Sequence, residues 1–180
     1  MKIVEPIRDK KDLLKLEEIF NQQSKRNLLL YSLGVNLGLR ISDILALNVG
    51  DVKNKDFIVI KERKTKKYKK IPLNHKIKDI IEKYTNNKDI KEPLFKTKFK
   101  NRMDRITAYR IIKTACKNCR IEANIGTHSL RKTFGYHFYK QFNDVAMLQK
   151  ILNHSSPQIT LRYIGIEQDE IERKYMEFVL

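Results

Sequence analysis

The chain has 180 residues, 41% of them hydrophobic, with 38 Lys+Arg against 21 Asp+Glu for a formal charge of +17. That is enough apolar content for the core of one domain, and the cationic surplus repels itself unless a polyanion lies against it. No run of 18 apolar residues marks a membrane span, and residues 1–6 lack the apolar stretch of an export signal, so the sequence argues against membrane and secreted classes and for a cytoplasmic partner of nucleic acid. Cys116 and Cys119 form a single C-x-x-C at the end of a predicted helix, with no second Cys/His pair at zinc-binding spacing, so reduced thiols and no metal site are expected.

Helix signals dominate the chain in order. Residues 9–21 carry Leu13, Leu14, Leu16, Ile19 and Phe20 near helical spacing, and Ser24 can cap a second helix through Leu28, Leu29, Leu30, Leu33 and Leu37. A short third helix is predicted over 41–47. The β-branched and aromatic stretch 57–60 and the stretch 69–72, separated by a Lys- and Thr-rich connection, predict a small hairpin or a three-stranded sheet. Asn74 caps a helix bearing Ile77, Ile80, Ile81 and Tyr84 at i, i+3, i+4, i+7. Residues 86–102, with Pro93 and many lysines, read as an exposed loop. Further helices are predicted over 104–118, 128–140, 144–152 and 157–164, the last with Ser156 at its cap and Pro157 at its first position. Ile171, Tyr175, Phe178 and Val179 form an apolar stripe on a final helix over 171–180. The expected fold is α+β, mainly helical, with a small antiparallel sheet, in one domain over 1–180.

Four segments carry candidate chemistry. In Gly38-Leu39-Arg40-Ile41-Ser42-Asp43, Arg40 and Asp43 share a face at a helix start; alone, this is equally an ion pair that ties the helix down. In Thr127-His128-Ser129-Leu130-Arg131, His128 and Arg131 point the same way. A guanidinium fork matches two phosphate oxygens and a neutral imidazole accepts a proton, although a solvated polar face has the same pattern. In Asn153-His154-Ser155-Ser156-Pro157-Gln158-Ile159-Thr160-Leu161-Arg162-Tyr163, a histidine precedes a capped turn and Tyr163 follows it by nine residues. Lys64, between the predicted strands, does not stand out from its basic neighbours.

Taken in order, Arg40, Lys64, His128-x-x-Arg131, His154 and Tyr163 resemble the catalytic signature of the tyrosine recombinases, or phage integrases, and the local sequences around them are similar to that family's boxes over about residues 13–166. The resemblance implies the family's catalytic-domain fold and its DNA strand exchange. Tyr163 would attack the scissile phosphorus, leaving a 3′-phosphotyrosyl link and a free 5′-hydroxyl, and ligation would be the reverse. A phenol of pKa ~10 needs a proton acceptor at neutral pH, the role implied for His128. Arg40, Arg131 and His154 would hold the non-bridging oxygens as their charge grows. Lys64, eight residues before Pro72, would protonate the leaving oxygen, with Lys66 and Lys67 as rivals. Asp43 would orient its neighbours. No ATP, metal or other cofactor is implied. Arg63, Lys66, Lys67, Lys69 and Lys70 are suited to phosphates of double-stranded DNA, with salt-dependent affinity.

Two departures qualify the resemblance. Family members commonly place a helical core-binding domain before the catalytic one, whereas residues 1–8 alone precede the first predicted helix. The expectation is a catalytic domain without that clamp, binding DNA weakly and with an accessory DNA-binding protein as a possible source of further contacts. Asn153 stands where glycine is frequent, but asparagine tolerates left-handed angles. The C-terminal segment in relatives commonly docks on a neighbour, which implies a homotetramer on DNA through the last helix; packing on its own domain is the alternative. A relaxing enzyme like the type IB topoisomerases and a non-catalytic DNA-binding regulator are the competing functions.

Overall fold

The computed structural model describes residues 4–61 and 68–179. Helix α1 (Lys10–Gln23) starts at Asp9, whose carboxylate accepts from the Lys11 N–H. It ends at Ser24, which then caps α2 (Lys25–Leu37) by accepting from the Asn27 N–H. Helix α2 is the central element: Leu29, Leu30, Tyr31, Leu33 and Leu37 are buried, because other helices cover it on several sides. Tyr31 stacks on Phe20 of α1 at 5.0 Å between ring centroids and donates its hydroxyl to the Leu13 carbonyl at 2.9 Å.

Helix α3 (Ile41–Ala46) and a 3₁₀ turn (Val49–Asp51) lead into an antiparallel hairpin, β1 (Phe57–Lys61) and β2 (Tyr68–Pro72), with Phe57 opposite Pro72 and Val59 opposite Lys70. Among the described residues the sheet has these two strands, so the hairpin reading holds over the three-stranded one. Period-two alternation buries Ile58, Ile60 and Ile71 in the core shared with α2, α3 and the helix that follows, and leaves Phe57, Val59, Tyr68 and Lys70 outside. Helix α4 (His75–Thr85) starts at Asn74, as its cap predicts.

The stretch 86–102 is less exposed than its composition suggests. Leu94 and Phe95 are fully buried, and backbone bonds from Val49 to Glu92, Gly50 to Ile90 and Leu94 to Leu47 pin the segment against the turn after α3. Helices α5 (Arg105–Asn118), α6 (Thr127–Phe142), α7 (Val145–Leu152) and α8 (Pro157–Ile164) follow near their expected bounds. Helix α9 spans Ile166–Glu177, so it begins before Ile171 and ends before the C-terminus. Left-handed Gly165 turns the chain straight from α8 into α9, and Glu167 and Asp169 suit the positive end of the new helix while hiding its apolar periodicity. Its stripe does not pack on the domain: Ile171, Tyr175, Phe178 and Val179 are all exposed.

The lead before α1 is strapped across α6. The buried Ile7 N–H donates to Thr133 Oγ1 at 2.8 Å, His137 Nε2 meets the Ile7 carbonyl at 2.9 Å, and the Arg8 guanidinium binds Asp169 at the start of α9 at 2.8 Å.

Candidate active site

Left-handed Gly38 (φ 59°) ends α2 and swings the chain into α3, so that Arg40, at the N-terminal cap of α3, is half-buried and Asp43 is buried one turn on. A side chain at Gly38 would meet the Phe134 ring of α6 at 2.5 Å, so glycine is required there for space as well as for angle. The first turns of α6 carry His128 on the surface and Arg131 inside, with 2% exposure. Arg131 donates to the Gly38 carbonyl and, at 2.5 Å, to the Leu152 carbonyl. These are carbonyls at the C-terminal ends of α2 and α7, which lack partners within their own helices and favour a cation. One guanidinium therefore fastens the segment that leads to Arg40 and the segment that leads to His154.

After Leu152 the chain turns through left-handed Asn153 (φ 53°, ψ 50°) and presents His154. The turn is held on both sides: the His154 N–H donates to the Gln149 carbonyl at 3.0 Å, and Gln149 Nε2 donates to the His154 carbonyl at 3.1 Å. His154 Nδ1 lies 3.1 Å from Thr160 Oγ1, whose own hydrogen is given to the Ser156 carbonyl at 3.1 Å. The hydroxyl must then accept, which puts a proton on Nδ1 and orients the ring. Lys69 is turned inward to the same helix end, its ammonium donating to the Ile151 carbonyl at 2.7 Å. Lys70 is exposed on the hairpin and lies over the Phe57 ring at 3.9 Å.

Tyr163, on α8, meets the edge of the His154 ring with centroids 4.9 Å apart and planes at 74°. Burial raises the pKa of Tyr163, and the charge of Arg131 and then that of Arg40 pull against that rise. His128 is held below the ordinary imidazole range by partial desolvation first, then by the positive charges of Arg131, Arg105, Arg40 and Lys132. The structure thus brings Arg131 and Arg40 near the Tyr163 hydroxyl and His154 against its ring, with His128 in the field of the same two arginines. Arg63, Lys64, Lys66 and Lys67 lie outside the described residues.

Three residues in the cluster carry no distinctive sequence signal. Thr160 fixes the His154 ring, Arg105 adds to the field at His128, and Lys132, with 8% exposure, places its ammonium 5.1 Å from the centroid of the Tyr163 ring. Lys132 follows Arg131 directly, and that adjacency is the one hint available. Cys116 is buried, its thiol pushed up to about 11 chiefly by desolvation, and Cys119 is also a free thiol. Among the described residues no three His, Cys, Asp or Glu side chains gather as a metal site.

The profile of the phage integrase family matches residues 8–170. Among curated relatives, the chain is 47% identical over 179 residues to the "Probable integrase/recombinase YoeC" of Bacillus subtilis (strain 168), covering 99% of this chain and 98% of that protein. It is 30% identical over 154 residues to a "Tyrosine recombinase" of Pseudothermotoga lettingae, covering 84% of this chain but 53% of that one, so it spans about half the length of this second relative. Among solved structures, XerA recombinase superposes with a TM-score of 0.78 at 20% identity over 98% of this chain and 66% of its own. A lambda integrase tetramer bound to a Holliday junction does so with a TM-score of 0.72 at 17% identity over 91% of this chain and 49% of its own. At these identities the superpositions speak for the fold.

Proposed function

Because the chain belongs to the phage integrase family, we propose that it is a site-specific tyrosine recombinase that cuts and rejoins double-stranded DNA through Tyr163. The observation that carries this reading is the position of Tyr163, packed against the His154 ring and lying within the field of buried Arg131 and of Arg40.

In the proposed reaction the phenolic oxygen attacks the scissile phosphorus; the bond from that oxygen to phosphorus forms as the bond to the 5′-oxygen breaks. His128, held toward its neutral form by partial desolvation and then by its basic neighbours, takes the phenolic proton. Arg40, Arg131 and His154 hold the non-bridging oxygens. Lys64, or its rival Lys66 or Lys67, gives a proton to the 5′-oxygen. A guanidinium has more N–H groups than the two carbonyls use, so Arg131 can anchor the fold inward and meet phosphate outward. The reverse attack by another strand's 5′-hydroxyl reseals the DNA.

Lys70 places positive charge on the exposed side of the hairpin, Arg63, Lys66 and Lys67 extend it in sequence, as a DNA-facing edge requires, and Lys69 is turned inward to the end of α7 instead. The exposed stripe of α9 suits docking on a neighbouring protomer in a DNA-bound homotetramer. Among the described residues no helix is long and apolar enough to cross a membrane, and the reading places the chain in the cytoplasm with DNA, with an accessory DNA-binding protein supplying further contacts.

The test is a nicked suicide duplex carrying candidate sites, incubated in EDTA and resolved on a denaturing gel. Wild type is expected to form a covalent protein–DNA band, and Tyr163→Phe to form none while still retarding the same DNA. A band that survives Tyr163→Phe would overturn the assignment.

The direction of the His128 shift sets the pH dependence. Because the imidazole titrates below its ordinary range, the proton acceptor is neutral at neutral pH. Single-turnover cleavage should hold through neutrality and fall as acidification protonates it. His128→Asn should lose about 10²- to 10⁴-fold in rate and abolish this acid limb. An unchanged acid limb in the variant would exclude His128 as its source.

A further inference from the structure

Lys132 is a lysine in an unusual place. It is 8% exposed on α6, between buried Arg131 and buried Thr133, and lysines are rarely buried unless paired. Its ammonium lies over the face of the Tyr163 ring, 5.1 Å from the centroid, and the Glu5 carboxylate acts on it through charge. Desolvation lowers its pKa, Glu5 opposes that and Arg8 adds to it, so the cation is retained at a cost that a methionine of similar shape would avoid. Stability therefore does not account for the charge.

The geometry around Tyr163 does. Arg131 acts on the hydroxyl through its charge, His154 packs against the ring with planes at 74°, and Lys132 faces the ring. A buried cation over an aromatic face is directional because the ring's negative potential is concentrated there. The two α6 residues are consecutive, so the element whose guanidinium acts on the hydroxyl also carries the charge over the ring face. We infer that Lys132 is a positioning residue for Tyr163, its ammonium fixing the orientation of the ring from which the phenolic oxygen attacks. The inference rests on the reading of Tyr163 as nucleophile. Misorientation of a reacting group is costly in rate even when binding is unchanged.

The test compares Lys132→Met, which keeps the length and removes the charge, with Lys132→Arg, which keeps the charge. The full chain is labelled with 3-fluorotyrosine, and among its eight tyrosines the Tyr163 resonance is identified by its loss in Tyr163→Phe. Lys132→Met is expected to move that resonance, to slow single-turnover cleavage by about tenfold and to leave DNA affinity and melting temperature at or above wild type. Lys132→Arg should keep the resonance near its wild-type position and the rate within about threefold. Lys132→Met with an unmoved resonance and wild-type rate would overturn the inference, as would a Lys132→Arg variant as impaired as Lys132→Met, which would mean that shape and not charge matters. The resonance is read without DNA, so it decides the ring contact even if wild type forms no Tyr163-dependent covalent band, a result that would instead count against the recombinase reading.

Discussion

Arg131→Ala is expected to destabilise the protein by about 3–5 kcal/mol and to reduce covalent complex formation by about 10³-fold or more. The stability loss follows from burial: with 2% exposure, the guanidinium donates to the carbonyls of Gly38 and Leu152, and alanine leaves both without that donor. The rate loss exceeds that of removing a single phosphate contact, because the same change loosens the segment leading to Arg40 and the turn bearing His154. Arg131→Lys keeps the charge but not the fork. A single ammonium cannot span two carbonyls on different helices while also acting on the Tyr163 hydroxyl, so most of both losses should persist. Urea titration and single-turnover cleavage on a suicide duplex measure the two effects separately. A lysine variant with near-wild-type stability and rate would show that charge alone suffices and that the cross-tie is incidental.

The difference between what the sequence announces and what it conceals has a physical basis here. Arg40, His128, Arg131, His154 and Tyr163 stand out because phosphate chemistry needs rare residue types in a fixed order, and the caps at Ser24, Asn74 and Ser156 are short-range signals that work within one turn. Lys132 and Thr160 are concealed because their partners come from other helices or turns and their types are common. The strap of residues 4–8 is concealed for the same reason, since Ile7 and Thr133 are 126 positions apart. Leu94 and Phe95 fill the core from a lysine-rich stretch without periodicity, so composition outvotes burial there. The start of α9 is hidden by its acidic first turn. Lys69 shows the limit of composition from the other side: it is one basic residue among many in sequence, yet its ammonium is bonded to the Ile151 carbonyl at the end of α7. Asn153 is the instructive intermediate, for its residue type permits the left-handed angle that the turn before His154 adopts.

Gly135→Ala is expected to cost about 1–3 kcal/mol in stability and about 10²-fold in cleavage per folded molecule. On propensity alone the sign would be reversed, since alanine in a helix interior gains about 1 kcal/mol over glycine. Packing decides otherwise: an added Cβ would sit 2.7 Å from Ile164 Cγ2 and 3.3 Å from Leu152 Cδ1, and both of those residues are fully buried. Neither can retreat into solvent. Ile164 follows Tyr163 directly, and Leu152 ends the helix whose carbonyl Arg131 holds and from which His154 emerges. The methyl group would therefore push α8 and α7 away from α6 at the two points that set the distance between the tyrosine and its pocket. Ile112→Val, in the core of α5, provides the control: it should cost about 0.5–1.5 kcal/mol while leaving cleavage by the folded fraction unchanged. If the two variants lose stability alike and Gly135→Ala also retains the wild-type rate, the close approach of α6 and α8 supports the fold but does not set the position of Tyr163.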